Sequence, residues 1–158
     1  MNASATFSPD GLYRYRLTRE WSNVHPSLAW IMLNPSTADA IHDDPTIRKC
    51  IKFAQRWGYG RIEVVNLFAF RATNPAELRR VAHPVGSLND TTIGEVLDEA
   101  LDVVCAWGVN NPIPERATQV MGMIHDRRII PKALRITKDW HPGHPLYIRD
   151  DTELIPYA

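Results

Sequence analysis

The chain has 158 residues, a length typical of one domain that buries roughly two-thirds of its unfolded surface. Apolar residues make up 44% of it and charged residues 23%, which excludes a disordered or fibrous chain. The formal net charge is zero, so the charge of the whole chain does not predict binding to nucleic acid, although a local basic face could still provide it.

The sequence has no pattern typical of membrane insertion or secretion. Its longest strongly apolar run, residues 28–33, is far shorter than the roughly 20 residues of a membrane helix. The N-terminus, MNASATFSPDG, lacks the basic stretch and apolar segment of a secretory signal. We therefore expect a cytoplasmic protein in which Cys50 and Cys105 are small core residues and do not form a disulfide.

Five segments have the patterns of β-strands. Residues 11–21 alternate aromatic or apolar residues with arginine, which is typical of a half-exposed strand or hairpin at a sheet edge. Four shorter runs are apolar on both faces, as buried parallel strands are. These runs are residues 27–33, 62–70, 101–107 and 133–136.

Three segments, residues 45–57, 89–100 and 114–125, repeat apolar residues at helical spacing. In the first, Asp44 is placed to cap the helix and Pro45 to occupy its first position. Asn89 or Asp90 is the expected cap of the second helix.

Strands and helices alternate along the chain, which predicts a parallel sheet covered on both faces. The expected fold is a three-layer α/β/α sandwich with a central, mainly parallel four-stranded sheet and an N-terminal edge strand or hairpin. We expect a single domain over residues 1–158, with the edge strand or hairpin in 1–26 and the α/β core in 27–158. Right-handed crossovers place the loops that follow the strands at one edge of the sheet, where open sheets bind ligands.

Polar residues concentrate in and after the ends of the predicted core strands. Because these ends meet at one edge of a parallel sheet, their convergence predicts a single site. The residues are Asn34, Pro35, Ser36, Asp39 and Asp44 after the first core strand, Asn66 and Arg71 in or after the second, Trp107 at the end of the third, and Lys138 and His144 after the fourth.

Taken singly, most of these residues have a purely structural explanation. Asn34 could end a strand and start a turn, and Asp44 could simply cap a helix. Trp107 could belong to the core, and Arg71 to the solvated surface. Asn66 is different, because an unpaired amide buried in an apolar strand costs roughly 1–3 kcal/mol.

Several other kinds of site are disfavoured. The sequence has neither a GxxxxGKS/T phosphate loop nor a GxGxxG turn after a strand, and it has no GxSxG nucleophile turn and no cysteine cluster for zinc. His141 and His144 could bind a metal together with Asp43 or Asp44, but the intervening proline and glycine exclude the helical face usual for that spacing. We expect no metal and no cofactor.

Four short motifs resemble the uracil-DNA glycosylase superfamily. Residues 32–35 (MLNP) resemble its first motif, and residues 144–146 (HPL) resemble its closing His-Pro motif. Residues 65–67 (VNL) are similar to the strand whose Asn reads the base, and residues 103–108 (VVCAWG) to the strand that ends in Trp-Gly. The resemblance implies a uracil-DNA-glycosylase-like fold and a DNA glycosylase activity.

A longer pattern resembles an uncharacterised family of bacterial and phage proteins, and this resemblance extends from about residue 27 to the end. The motifs of that family are LNPSTAD, DPT-x-R, VNLFAFR, LND and HPLY. This sequence has them at residues 33–39, 44–48, 65–71, 88–90 and 144–147.

The resemblance to the glycosylases implies roles for the candidate residues. Asn34 would orient the attacking water, and His144 would donate a hydrogen bond to the departing base. Asp39 could then supply an anionic or general-base function, because an amide cannot accept the proton. Asn66 would read the edge of an extruded base. The other substrate-binding candidates are Pro35 and Ser36 beside the first motif, Phe68 and Trp107 for stacking, and Arg48, Arg71, Lys138 and the helix start at Asp44 for phosphate.

The leading functional prediction is a DNA glycosylase-like hydrolase that cleaves the N-glycosidic bond of an unusual, damaged or modified base, in DNA repair or DNA modification. An alternative keeps the fold and makes the site one for binding or processing a nucleotide or modified base in a phage-type DNA modification or defence system. A third alternative is a non-catalytic module that recognises an unusual base or an RNA end. The expected partner is DNA, a nucleotide or a nucleobase, and not a membrane.

Overall fold

The computed structural model describes residues 1–157, which contain a seven-stranded mixed sheet and three α-helices. No helix within this range has the length and apolar character needed to cross a membrane. The strands are β1 (Asn2–Phe7), β2 (Arg14–Glu20), β3 (Ser27–Met32), β4 (Arg61–Asn66), β5 (Asp102–Cys105), β6 (Lys132–Ala133) and β7 (Ile155–Pro156). The helices are α1 (Pro45–Arg56), α2 (Asn89–Glu99) and α3 (Pro114–Asp126), with a short 3₁₀ helix at Pro75–Arg79.

The strand order is β1-β2-β4-β3-β5-β6-β7. The central strands β4, β3, β5 and β6 are parallel to one another, and β1, β2 and β7 join the sheet antiparallel. This confirms the predicted α/β class and the parallel centre. The sheet has two more strands than the five segments predicted. β1 pairs with β2 on one side, which makes the N-terminal element the hairpin of the two predicted options, and β7 pairs with β6 on the other side.

The two faces of the sheet bury separate apolar clusters. On one face, Trp30 and Met32 of β3 pack with residues of α1, including Ile47 and Phe53. On the other face, Ile31 of β3 packs with residues of α2 and α3. Helices therefore cover both faces, since alternate residues of a buried strand point to opposite sides.

The ends of the elements correct several predicted boundaries. The second core strand ends at Asn66 instead of residue 70, the third covers Asp102–Cys105, and the fourth is only Lys132–Ala133. After Asn66 the chain still follows β3, since the amides of Leu67 and Phe68 donate to the carbonyls of Met32 and Leu33. The second core strand was predicted too long because the apolar run in the sequence continues beyond Asn66 into a buried turn.

The helix caps were predicted correctly for α1 and wrongly for α2. Asp44 is the N-cap of α1, where its side chain accepts a hydrogen bond from the amide of Ile47, and Pro45 follows at the first position. The N-cap of α2 is Leu88, with no side-chain hydrogen bond. Asn89 is fully buried in the first turn, where its side-chain amide donates to carbonyls at the end of β4.

Strand β2 is more buried than its arginine-rich pattern predicted. Arg14 and Arg19 are only 3% and 1% exposed, because β1 covers the outer edge of β2 and the segment after β3 covers its α1 side. The prediction of a half-exposed strand was wrong. It assigned the arginines to the solvent, because arginine side chains are rarely buried. The cysteine prediction is confirmed, since Cys50 and Cys105 are buried and free.

A β-bulge in β2 places both arginines on the same side. Thr6 pairs with Arg16 and Phe7 with Arg14, so Tyr15 is an extra residue in β2. Without it, Arg14 and Arg19 would lie on opposite faces, because they are an odd number of residues apart. Both guanidinium groups instead donate to carbonyls between β3 and α1, Arg14 to Ala38 at 3.0 Å and Arg19 to Asp39 at 2.6 Å.

Glu63 is a buried carboxylate of β4 whose partners predict a large stabilising role. It is 2% exposed and accepts hydrogen bonds from Arg16 at 2.7 Å, Thr18 at 2.6 Å and Arg61. Glu63→Ala would leave two arginines without their buried partner, so we expect the free energy of unfolding to fall by about 3 kcal/mol. Urea denaturation measures this change.

Glu99 is the matched control for this substitution. It bonds to the same Arg16 guanidinium at 2.8 Å, but its side chain is 58% exposed. We expect Glu99→Ala to lower the free energy of unfolding by less than about 1 kcal/mol. Equal losses for the two substitutions would contradict the argument from burial.

Candidate functional site

A cavity of about 510 Å³ opens at the carboxyl edge of the central parallel strands. Its walls come from the ends of β3 and β4, the loop after β5, the start of α1 and the segment around residues 135–148. Strand β3 leads to α1 on one face of the sheet, and β5 leads to α3 on the other face. A crevice between strands that diverge in this way is the usual ligand site of an open α/β sheet, and the volume is typical of small-molecule sites.

The structure brings seven of the twelve predicted site residues together at this cavity. They come from four separate segments of the chain, which confirms that these segments meet at the sheet edge. The seven are Asn34, Pro35, Ser36, Asp44, Asn66, Trp107 and His144, while Asp39, Arg48, Phe68, Arg71 and Lys138 are not among the lining residues.

Asp39 lies in a turn outside the cavity wall. One of its carboxylate oxygens accepts hydrogen bonds from the amides of His42 at 2.8 Å and Ile41 at 3.0 Å. These bonds stabilise the charged form and lower the pKa of Asp39 to about 2. The carboxylate at the cavity is instead that of Asp44, which also accepts a hydrogen bond from the amide of Ile47 at 2.9 Å.

The four other residues outside the cavity have different surroundings. Phe68 is buried in the apolar cluster on the α2 and α3 side of the sheet. The guanidinium of Arg71 lies over the ring of Phe7, 4.9 Å from its centre. Arg48 and Lys138 are exposed on the surface.

Asn34 has a side-chain amide whose orientation is fixed. Its Nδ2 donates to the carbonyls of Pro35 at 3.2 Å and Ala72 at 2.7 Å. Carbonyl oxygens only accept, so the nitrogen and oxygen of this amide cannot be exchanged. Among the described residues Oδ1 has no donor within reach, and it remains as an acceptor at the cavity.

Asn66 is the last residue of β4 and is only 1% exposed. Its backbone is well held, since its carbonyl accepts a hydrogen bond from Asn89 at 2.9 Å. Its side chain is not, because neither Nδ2 nor Oδ1 has a hydrogen-bond partner in the described part of the chain. Leaving a buried polar group unpaired costs about 1–3 kcal/mol, so folding alone does not explain this amide at the wall of a cavity.

His144 is held as a neutral imidazole. Its Nδ1 accepts a hydrogen bond from the amide of Leu146 at 3.2 Å, so the ring hydrogen is on Nε2. Burial lowers the pKa of His144 below its usual value, and the negative charge of Asp44 only partly opposes this. Gly108 follows Trp107 at the cavity with φ of 74°, a left-handed conformation that favours glycine.

Arg14 and Tyr147 are among the cavity residues that were not predicted as site residues. Arg14 lines the cavity from β2, and burial lowers the pKa of its guanidinium to about 10, which leaves it charged at neutral pH. Tyr147 is fully exposed at the cavity, with φ of 71°. Tyr147 is the last residue of the HPLY motif, which could have indicated it as a site residue. The alternating pattern around Arg14 indicated only a surface strand.

Within residues 1–157 no cluster of three or more His, Cys, Asp or Glu side chains is placed to hold a metal ion. The cavity is instead lined by amides, hydroxyls, one carboxylate, one imidazole, arginines and apolar groups. Such a donor set binds an organic ligand through hydrogen bonds and shape.

A ligand cavity at the carboxyl edge of parallel strands is typical of α/β enzymes and small-molecule-binding proteins. The chain belongs to the family described as "Protein of unknown function (DUF1643)", whose model matches residues 14–146. This confirms the resemblance to an uncharacterised family, and the matched range contains all seven cavity residues predicted from sequence. It does not show a link to the uracil-DNA glycosylase superfamily. No curated protein and no solved structure is significantly similar to the chain.

The lowered pKa of His144 leads to a prediction about stability and pH. The folded protein holds the ring with a pKa below 6.5, its ordinary value. Between the folded pKa and 6.5 the unfolded chain binds more protons, so stability falls as the pH falls through this window. NMR titration of the ring and urea denaturation at several pH values measure the two effects.

His144→Gln is the control, because glutamine has no group that titrates in this range. We expect the variant to lack this component of the pH dependence. A His144 ring that titrates at or above 6.5 would show that burial does not dominate its environment.

Proposed function

We propose that the protein is a DNA glycosylase-type hydrolase, with a uracil-DNA-glycosylase-like three-layer α/β/α architecture. It would cleave the N-glycosidic bond of an unusual, damaged or modified base. The observation that carries this proposal is the unpaired amide of Asn66 at the wall of the cavity. A nucleobase edge presents neighbouring donors and acceptors, which an Asn amide matches with its own donor and acceptor.

The position of Asn66 suits a base that has left the stack. An enzyme that acts on a base in DNA rotates the nucleotide into a pocket, where its polar edge can be read. Both amide atoms of Asn66 are covered in the free protein. A base that reaches them therefore displaces the side chains over the cavity floor, and the pairing it provides offsets the cost of leaving the amide unpaired.

Hydrolysis of the bond needs an oriented water, an acceptor for its proton and stabilisation of the departing base. The Oδ1 of Asn34 accepts a hydrogen bond from the water, and Asp44 takes the proton as the water oxygen bonds to C1′ of the sugar. Asp44 replaces Asp39 in this role because Asp39 lies outside the cavity.

The leaving base takes the electron pair of the C1′–N bond. The Nε2–H of His144 donates to a base oxygen on which negative charge develops, and this stabilises the transition state. A neutral imidazole serves as this donor without changing its protonation state. The lowered pKa of His144 supports that role.

Two residues at the mouth of the cavity suit a nucleic acid strand. Tyr147 presents an exposed aromatic ring on which a base can stack. Arg135 is exposed at the cavity, where its guanidinium can contact a phosphate.

A second candidate function is binding or processing of a free nucleotide or modified base without glycosylase activity. Several cations of α1 are already paired, which favours a small ligand over duplex DNA. Lys49 and Lys52 both contact Asp150, and Arg56 pairs with Glu153 at 2.9 Å. The formal net charge of zero points the same way.

A cleavage assay tests the proposed activity. DNA oligonucleotides that carry uracil, mismatched or hypermodified bases are incubated with the protein and treated with alkali, which cuts the strand at a lost base. We expect cleavage of at least one substrate and a loss of about 100-fold or more in Asn34→Ala, Asn66→Ala and His144→Ala, since each removes a group that acts directly on water or base.

Asp44→Asn and Asp39→Asn distinguish the two carboxylates. Asparagine also caps helices, so Asp44→Asn keeps the start of α1 and removes only the proton acceptor. We expect loss of activity in this variant alone. Loss in Asp39→Asn with activity kept in Asp44→Asn would return the role to Asp39, and no cleavage of any substrate would reject the glycosylase proposal.

The salt dependence of binding separates the two candidate functions. A protein that contacts several DNA phosphates releases counterions, so its affinity falls steeply between about 50 and 200 mM salt. We expect this steep dependence for an oligonucleotide if DNA is the substrate. Weak dependence on salt, together with tighter binding of a free nucleotide, would favour the second function.

A further inference from the structure

Three buried arginines in the described residues allow an internal comparison: Arg14, Arg19 and Arg116. Two of them have a carboxylate partner, since Arg19 contacts Asp43 at 2.8 Å and Arg116 contacts Asp90 at 2.6 Å. Across residues 1–157 no carboxylate oxygen lies within 4.0 Å of the guanidinium of Arg14. Arg14 is thus the buried arginine whose charge has no direct partner.

The hydrogen bonds of Arg14 are also incomplete. Its Nη1 donates to the carbonyl of Ala38 at 3.0 Å, whereas Nε is buried and has no acceptor in the described structure. A guanidinium has five N–H donors in a planar fork. The negative charge of Asp44 acts on the guanidinium from elsewhere in the cavity wall. A buried cation with no carboxylate in contact and an unpaired N–H is still costly, so one carbonyl contact is a poor explanation for its position.

The position of Arg14 is built into the sheet. The bulge at Tyr15 turns Arg14 to the α1 side, the side that the side chain of Asn66 also faces, since Val64 two residues before it belongs to the α1 cluster. Both residues line the same cavity, and bulges commonly redirect a side chain beside an active site. A cation and an amide, each with unused donors, therefore share the cavity wall.

We infer that Arg14 binds an oxyanion carried by the ligand, a carboxylate or a phosphate. This rests on the proposed function and defines its substrate class: a nucleobase with an acidic substituent, or a free nucleotide whose phosphate enters the cavity. Guanidinium groups bind both oxyanions with paired N–H donors. The depth of Arg14, at 3% exposure, keeps it from the phosphates of a DNA backbone on the surface.

Arginine-selective ¹⁵N NMR tests the site without knowledge of the base. The probes are inorganic phosphate and acetate, titrated into the wild-type protein at constant ionic strength with chloride as the balancing salt. We expect the Nε–H resonance of Arg14 to shift in a saturable way with at least one of them. No change in this resonance with either anion would overturn the inference.

Two variants show whether the response belongs to Arg14. Arg14→Met keeps much of the side-chain volume and removes the charge, and we expect it to weaken anion-dependent thermal stabilisation by about tenfold or more in apparent affinity. Arg79→Met is the control, because Arg79 also donates to one backbone carbonyl, that of Pro112 at 2.8 Å, but lies outside the cavity. Equal responses in the two variants would contradict the inference.

Stability without added anion separates this role from a structural one. If the charge of Arg14 is paired only when a ligand anion binds, Arg14→Met in chloride buffer unfolds at the same temperature as the wild type or higher. If Arg14 mainly anchors Ala38, the variant is clearly less stable, and this result counts against the inference. Should the variant fail to fold, Arg14→Lys, which keeps the charge and loses the planar fork, is compared in its place.

The source of the oxyanion is identified with a matched set of ligands in calorimetry: 2′-deoxyuridine, its 5-carboxy derivative and its 5′-monophosphate. Tighter binding of the carboxy derivative, lost in Arg14→Met, assigns a base substituent, and tighter binding of the monophosphate assigns a nucleotide phosphate. A preference for the neutral nucleoside would overturn the inference.

The failures of the two proposals are distinguishable. Base excision that needs Asn66, in a protein without any anion response at Arg14, would reject the inference and keep the proposed function. A response at Arg14 in a protein that cleaves no base would reject the glycosylase and keep the oxyanion site.

Discussion

Side chains of α2 and α3, which cover the face of the sheet opposite α1, hold the end of β4, and the candidate site depends on this interaction. The amide of Asn89 in α2 donates to the carbonyls of Asn66 and Leu67, and the Nε of Arg116 in α3 donates to the carbonyl of Leu67 at 2.7 Å. These bonds satisfy backbone groups at the point where the strand ladder stops. The side chain of Asn66 is thereby fixed on the α1 side, facing the cavity.

The residues that follow β4 also fix the start of the loop after β3. The amides of Leu67 and Phe68 donate to the carbonyls of Met32 and Leu33, and Asn34 follows directly. Its side chain is then held by the carbonyls of Pro35 and Ala72. Two amides from separate strands therefore have defined positions before any ligand binds, which is the preorganisation that binding and catalysis require.

Most of the unpaired polar atoms of the interior belong to residues that line the cavity. In the described part of the chain, five buried side-chain atoms lack hydrogen-bond partners, and three of them belong to Arg14 and Asn66. Buried polar groups are normally satisfied, and local departures from this rule are expected at functional sites, where stability is given up for binding. The same feature underlies the base-binding and the oxyanion proposals.

The sequence by itself determined the helices, the parallel pairing of the core strands and the sheet edge at which the candidate site lies. Apolar periodicity, the Asp44 cap and the strand–helix alternation are local signals. Only the tertiary structure decided that Asn89 bonds to the end of β4 instead of capping α2. It also decided that Arg14 is buried at the cavity, and that Asp44 lines the cavity while Asp39 does not. These outcomes depend on a bulge set by pairing with β1 and on contacts between residues far apart in the chain, which local periodicity does not specify.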